Sequence, residues 1–538
     1  MSVLVSGAFA KRIDRYAIEE LGIPSLELMA RAAEGLAAET ERLADKHFPD
    51  KKRQDVSILF LCGTGNNGAD GLNAAHILSG HGFREIRIGV LGDRRRCTEE
   101  FRFHERALEE AGMALTWIDS VSGDEAGTPD IVVDALFGIG LSRPVEGRFL
   151  ELIGLINELR DRGSLIISAD VPSGLDSDLG HNMCGPSMPV RAHETVTFGF
   201  DKTGLWLGMG PSVRGELCQV DIGYEPDICS RIPHDIYDVI ETTDIEQEDI
   251  KCKLRKRGPN ANKSTYGKLL IIGGSRGMAG AAYLSGLAAY RSGMGMVRYL
   301  GPECNRSILQ TLLPEAMYDS CDEVSRESIL KVMRPAFDWA DHFVLGPGLS
   351  RSEEAELMVR IFAELWSEAQ KKLLVLDADG LNFLAAHEEL SGMLLGPRTV
   401  ITPHVGEMAR LVPESIADIK ADSLRIARDY ALTHHVNVIL KDAVTVTADA
   451  AGKLHINTEG SAALSKAGSG DVLTGAVAGV CAVLGDDISK ALPAAVCLHG
   501  LAGRLGAEGI SEHGSLARDT ADALPRAFLT FQEEPLDI

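Results

Sequence analysis

The chain has 538 residues, more than one ordinary hydrophobic core accommodates, so two domains are expected. Hydrophobic residues make up 45% and charged residues 25%, a globular balance, and the net charge of −24 argues against a nucleic-acid or anionic-membrane surface. Ten cysteines without metal-ligand spacing, no secretory signature and no apolar run near the ~20 residues of a membrane span lead to the expectation of a soluble, cytoplasmic protein.

From about Ser6 to Leu43 the apolar positions Ile18, Leu21, Leu26, Met29 and Leu36 suggest helix, and Pro24 divides the segment in two. The run 56–62, nearly all apolar and bounded by Gly63, predicts a buried parallel strand. Further strands are expected at 86–91, 131–136, 165–169 and 195–198, with helices over 76–78, 101–111 and 149–159 between them. Alternating βα units imply an α/β domain with a doubly wound sheet, whose ligand crevice lies at the carboxyl ends of its strands.

Three loops at such strand ends carry chemistry. Gly63-Thr64-Gly65-Asn66-Asn67-Gly68-Ala69-Asp70-Gly71 contains a GxGxxG spacing, and Asp93 ends the next strand, which invites a dinucleotide-dehydrogenase reading. Asp70 speaks against that, because it puts a carboxylate where a pyrophosphate would sit. The asparagines suit sugar or phosphate oxygens and, through their carbonyls, a cation; a turn packed for helix–sheet contact is the plain alternative. Asp134-Ala135-Leu136-Phe137-Gly138-Ile139-Gly140-Leu141-Ser142-Arg143-Pro144 and Asp170-Val171-Pro172-Ser173-Gly174 each begin with an acid at a strand end. Hard oxygen ligands from Asn67, Asp134 and Ser173 suit an alkali or alkaline-earth ion rather than zinc.

Together these three loops resemble the NAD(P)H-hydrate epimerase family, the YjeF N-terminal domain, over most of residues 1 to about 225. The resemblance implies a Rossmann-like domain at 1–233. It implies K+ on Asn67, Asp134 and Ser173, and substrate contacts from Asn66, Asn67, Gly68, Ala69 and Asp70, from Gly138, Ile139, Gly140, Leu141, Ser142, Arg143 and Pro144, and from Asp170. Asp170 is then the acid/base that inverts the hydrated nicotinamide carbon through transient ring opening. Ala69 stands where the family has a second Gly.

From Tyr237 to Arg257 strand patterning is lost, and an acidic patch followed by a basic one suggests a solvated short helix and a surface loop at the junction. Strands are expected again at 268–272, 296–300, 342–345, 373–376, 398–401 and 436–440. A small-residue helix from 281 to 291 is fit to lie close to a sheet or ligand. The turns Gly346-Pro347-Gly348-Leu349, Asp377-Ala378-Asp379-Gly380, Thr402-Pro403-His404-Val405-Gly406-Glu407 and Lys441-Asp442-Ala443 follow strand ends. Ala467-Gly468-Ser469-Gly470-Asp471 reads as a loop opening a helix: free amides and close backbone approach suit a phosphate, and Asp471 suits a base. The helix dipole is expected to depress the Asp471 pKa and keep it ionised. A capping acid after a flexible loop has the same pattern. Cys481 and Cys497 read as core residues.

These turns resemble the ADP/ATP-dependent NAD(P)H-hydrate dehydratase of the ribokinase-like superfamily, over about residues 240–535. The resemblance implies a ribokinase-like α/β domain at 234–538. Lys441, Asp442, Ala443, Val444, Thr445 and Gly470 would hold ADP with Mg2+; Ala281, Gly348, His404 and Asp471 would face the hydrate, with Asp471 catalytic. Ser469 replaces Thr, Ser264 replaces Gly, and Asp442 brings a negative charge where the family has Gly. The implied partners are NADHX, NADPHX and ADP, in a homo-oligomer. Two other readings fit the same residues: a small-molecule kinase that stops at the phosphorylated product, and a first domain that binds without catalysing.

Overall fold

The computed structural model describes residues 3–118, 127–243, 248–255, 257–321, 324–368, 372–485 and 487–530. The chain divides into two compact units, Val3–Ile240 and a second that begins at Glu241.

Among the described residues, the first unit carries a seven-stranded parallel sheet. Its order is Leu115–Trp117, Glu85–Val90, Ser57–Cys62, Ile131–Ala135, Leu165–Ala169, Glu194–Phe198, Glu216–Val220. Side chains alternate across a strand, so Ile58, Phe60 and Cys62 join one apolar cluster while Leu59 and Leu61 join another on the opposite face. The first cluster lies under Ser25–His47, Asn66–Gly80 and Glu99–Glu110, the second under Arg148–Asp161. Covering both faces is what makes the central strands continuously apolar. Pro24 precedes Ser25–His47 at its N-cap and separates it from Gly7–Glu19. The edge strands Leu115–Trp117 and Glu216–Val220 were not expected: they are only partly buried, and their polar residues weaken the apolar signal.

In the second unit the strands run Met317–Ser320, Met296–Gly301, Lys268–Ile272, His342–Leu345, Leu373–Leu376, Thr399–Ile401, Asn437–Leu440 in parallel. Val446–Ala448 and Leu454–Ile456 follow as an antiparallel extension. The helices Ala279–Arg291 and Ser469–Leu484 pack so closely that a Cβ on Gly475 would lie 2.0 Å from the Ser285 carbonyl oxygen. Small residues at 279–291 therefore set the position of the helix that begins at Ser469. Cys481 and Cys497 are core residues.

The junction departs from expectation. Glu241 and Thr242, in the strand Val239–Thr242, pair with His455 and Ile456. In the helix Glu248–Arg255, Ile250 and Leu254 are buried in the second unit's core, so two apolar residues four apart anchor a charged helix that reads as solvated. Residues 244–247 and 256 lie outside the described residues.

Candidate active sites

In the first unit, Asp134 stands in register with Leu61 on one neighbour and Ser168 on the other, so the loops that follow three parallel strands meet at one edge. The glycines of 63–71 serve that meeting. A Cβ on Gly68 would lie 2.0 Å from the Gly63 carbonyl oxygen, and one on Gly63 would lie 2.2 Å from that of Leu136. The loop's spacing is thus explained by close packing around a site, and Gly65 leaves the start of Asn66–Gly80 without a side-chain cap. Asp93 is occupied with Arg95 at the surface.

The loops frame a cleft of about 490 Å3, walled by Asn66, Asn67, Asp70, Gly138, Ile139, Gly140, Leu141 and Asp170 among others. Gly68 and Ala69 are buried and lie off the wall, whereas Ser142, Arg143 and Pro144 are exposed and also lie off it. Asp170 has φ 67, a strained conformation for a non-glycine residue, and it aims its carboxylate into the cleft. Its Oδ2 accepts from the Ile139 N–H at 3.1 Å, and Lys202 Nζ lies 2.6 Å from Oδ1. Lys202 also donates to Thr197 Oγ1 at 2.9 Å and to the Phe198 carbonyl at 2.8 Å, with only 2% of its side chain exposed. Nearby, Tyr224 donates to Asp14, whose carboxyl burial pushes up despite that bond and the Lys202 charge. Asp70 is buried with Oδ1 unpartnered; burial first, then the charges of Asp170, Asp14 and Glu100, push its carboxyl well above the ordinary range.

Asp134 is fully buried and accepts from neutral groups: Ser168 Oγ at 2.9 Å, Ser173 Oγ at 2.6 Å, the Ser173 N–H at 2.9 Å and the Leu136 N–H at 3.4 Å. Burial raises its carboxyl above the usual range, the Ser173 and Ser168 bonds opposing. Both amide atoms of Asn67 are buried without a hydrogen-bond partner. A carboxylate with no cation and an orphaned amide oxygen are what a monovalent cation satisfies, so these residues fit K+.

In the second unit the helix Ser469–Leu484 opens from Gly468, at φ +95, with no side-chain cap. Lys441 reaches this mouth: its Nζ would lie 3.2 Å from a Cβ on Gly470, and it donates to Asp377 Oδ1 at 2.9 Å. Asp377 Oδ2 also accepts from Thr474 Oγ1 at 2.9 Å. Burial works against the Lys441 charge, but Asp377, Glu407 and Asp471 outweigh it and raise its pKa. Asp471 corrects the sequence expectation. Burial first, then Asp377, push its carboxyl up to about 7; Lys441 opposes and Glu407 adds to the rise. The helix dipole falls short because tertiary burial and like charge outweigh a partial charge at a helix start.

His404 caps the helix Val405–Leu411: its Nδ1 accepts from the Gly406 N–H at 2.9 Å, and its own N–H donates to Glu407 Oε2 at 2.9 Å. The Lys441 N–H donates to the Pro403 carbonyl at 2.8 Å, which seats the lysine beside His404. Asp442 and Ala443 are exposed, Val444 and Thr445 partly buried, and Asp442 pairs with Lys420 at 3.3 Å, which balances its charge. A Cβ on Gly348, at φ +59, would lie 3.0 Å from the Ala281 Cβ, so these two expected contacts are neighbours. His499 is buried, its pKa lowered by that burial to about 4, and its neutral ring donates from Nε2 to the Ser469 carbonyl at 3.1 Å.

Lys202, Asp14, Tyr224, Asp377 and Glu407 were not assigned roles from sequence. Lys202 and Asp377 follow strand ends, the signal that marked the other turns; nothing in the pattern marks Asp14 or Tyr224.

The sequence pattern of the NAD(P)H-hydrate dehydratase family matches residues 269–526, and that of the YjeF-related protein N-terminus matches residues 25–204. The bifunctional NAD(P)H-hydrate repair enzyme of Thermofilum pendens is 33% identical, across 97% of this chain and 96% of the relative. The chain belongs to the bifunctional NAD(P)H-hydrate repair enzyme family. The Salinibacter ruber member is 34% identical over 97% of this chain and 95% of its own. A solved ADP/ATP-dependent NAD(P)H-hydrate dehydratase from Bacillus subtilis, co-crystallized with ATP/Mg2+, is 28% identical over 54% of this chain and 99% of its own, with a TM-score of 0.45. Among the described residues, no helix is long and apolar enough to cross a membrane.

Proposed function

We propose that the chain repairs hydrated nicotinamide dinucleotides in two steps. The Rossmann-like first unit interconverts the R and S forms of NADHX and NADPHX; the ribokinase-like second unit dehydrates the S form to NADH or NADPH at the expense of ADP, giving AMP and phosphate. Membership of the family supports both activities. The observation that carries the second is Asp471, a carboxyl poised near neutrality at a helix mouth beside Lys441.

Asp471 takes the proton of the substrate hydroxyl, and the freed oxygen attacks the terminal phosphorus of ADP, releasing AMP. Lys441 and the amides at 468–470 receive the developing negative charge. The ring nitrogen then expels phosphate, and loss of the adjacent carbon's proton restores the double bond. Ala281, Gly348 and His404 face the dinucleotide; Lys441, Asp442, Ala443, Val444, Thr445 and Gly470 hold the nucleotide. Three carboxylates, Asp377, Glu407 and Asp471, act on one lysine here, so the donor set fits a divalent cation carried with the phosphates. Mg2+ bound with ADP would offset the phosphate charge.

In the first unit Asp170 is the acid/base, with substrate contacts from Asn66, Asn67 and Asp70 and from 138–141, the part of the expected set that lines the cleft. K+ on Asn67, Asp134 and Ser173 would neutralise Asp134 and fix the loops it joins. The enzyme works in the cytoplasm as a homo-oligomer, which light scattering would check.

The decisive experiment gives the full chain mixed-epimer NADHX with ADP or ATP and Mg2+, and follows the near-ultraviolet absorbance of reduced nicotinamide. Conversion of both epimers is expected. Accumulation of a phosphorylated hydrate without NADH would instead identify a kinase, and conversion of the S form alone would remove the epimerase assignment.

A further inference from the structure

Asp70 lines the same cleft as Asp170, from the second turn of Asn66–Gly80, yet the two carboxyls sit in opposite surroundings. Asp170 has the Lys202 ammonium 2.6 Å away and the Ile139 N–H on its other oxygen. Asp70 has 7% of its surface exposed, and its Oδ1 is buried without a hydrogen-bond partner. The charges that act on it are the carboxylates Asp170, Asp14 and Glu100, and it in turn acts on the Cys62 thiol. Of the cations on the cleft wall, Lys202 is committed to Asp170, Thr197 and Phe198, and Lys11 forms no ion pair with Asp70.

We propose that Asp70 is the general acid of the first site, working opposite Asp170 as its base. This rests on the epimerase function above. The hydrate bears its hydroxyl on the carbon next to the ring nitrogen, so opening the ring needs a proton removed at oxygen and one delivered at nitrogen. Asp170 removes the hydroxyl proton, the oxygen's electron pair forms the carbonyl, and the carbon–nitrogen bond breaks. Its electrons go to nitrogen, which takes the proton of Asp70. Rotation presents the carbonyl's other face; nitrogen attacks it, Asp70 recovers the proton and Asp170 returns its own to oxygen. Both carboxyls end as they began, and no further reactant enters. Burial keeps Asp70 protonated between turnovers, while Asp170 holds its carboxylate against the Lys202 ammonium at 2.6 Å.

The test uses purified R hydrate and the full-length chain, with S hydrate read by chromatography, for wild type, Asp70→Asn and Asp70→Glu across pH. In Asp70→Asn, kcat is expected to fall ~10²–10³-fold with KM little changed, and the alkaline limb of the pH–rate profile should vanish. Asp70→Glu, which restores the acid on a longer arm, should recover part of the rate and the limb. Thermal melting separates misfolding from lost chemistry, and Asp70→Glu decides if Asp70→Asn does not fold. A kcat near wild type or an unmoved alkaline limb in Asp70→Asn, or, if that variant does not fold, a folded Asp70→Glu with no measurable epimerisation, overturns the acid role while leaving the epimerase standing. A wild-type chain that never interconverts the epimers overturns the epimerase assignment, and the acid role with it.

Discussion

Lys202 places its ammonium 2.6 Å from Asp170 Oδ1 while 2% of its side chain is exposed, so one buried cation sets the electrostatics of the first cleft. Removing one partner of such a pair leaves a desolvated charge alone, at a cost of ~3–5 kcal/mol. Lys202→Met is therefore expected to melt well below wild type and to lose epimerisation. Lys202→Arg, which restores the charge with a different shape, should recover stability better than rate. Equal epimerase kcat in wild type and Lys202→Met would disprove the coupling.

Asp471 makes the second activity pH-dependent. Its proton affinity of about 7 places the change from acid to usable base near neutrality, so dehydratase kcat should rise with pH through that value and then level off. Asp471→Asn should abolish dehydration at every pH.

The same shift has a stability sign. The folded carboxyl binds its proton more tightly than the unfolded one, so its contribution is fully present below the unfolded value of 3.8 and is lost as pH rises through about 7. Asp471→Asn is accordingly expected to be more stable than wild type at about pH 8, by on the order of 2 kcal/mol. The advantage should shrink toward about pH 4. Denaturant titrations at both pH values measure it.

Asp134 offers a test of the cation. Wild-type epimerisation should depend on K+, and replacing K+ with a large organic cation should slow it. In Asp134→Asn that dependence is expected to disappear. A variant that still responds to K+ would remove Asp134 from the ligand set.

Gly475→Ala tests the helix contact that aims Asp471. The added carbon would meet the Ser285 carbonyl oxygen at 2.0 Å, and backbone cannot swing away as a side chain can. A loss of ~1–3 kcal/mol and a slower dehydratase are expected, with epimerisation unchanged.

Much of this was legible in the sequence because parallel strands are continuously apolar and their ends carry acids and glycines in short loops. That is why Asp134, Asp170, Lys441 and Asp471 stood out with their strands and helices. The misses have two causes, weak local signals and contacts distant in sequence. Leu115–Trp117 and Glu216–Val220 are half-wet edges with a weak apolar signal. Asp14 and Tyr224 acquire meaning only when 210 positions of chain fold them together. Asp471 reads as an acid in the first turn of its helix, where it stands, but its acidity answers to burial and Asp377, which no local dipole argument contains.

The walls of the first cleft are drawn from residues between Ala10 and Tyr224, and the groups that tune Asp471 are Asp377, Glu407 and Lys441. The compact units part between Ile240 and Glu241, so among the described residues the groups named at each site belong to one unit. Each repair step thus keeps its named reactive side chains on its own stretch of chain, and a change in one stretch leaves the chemistry of the other as it was.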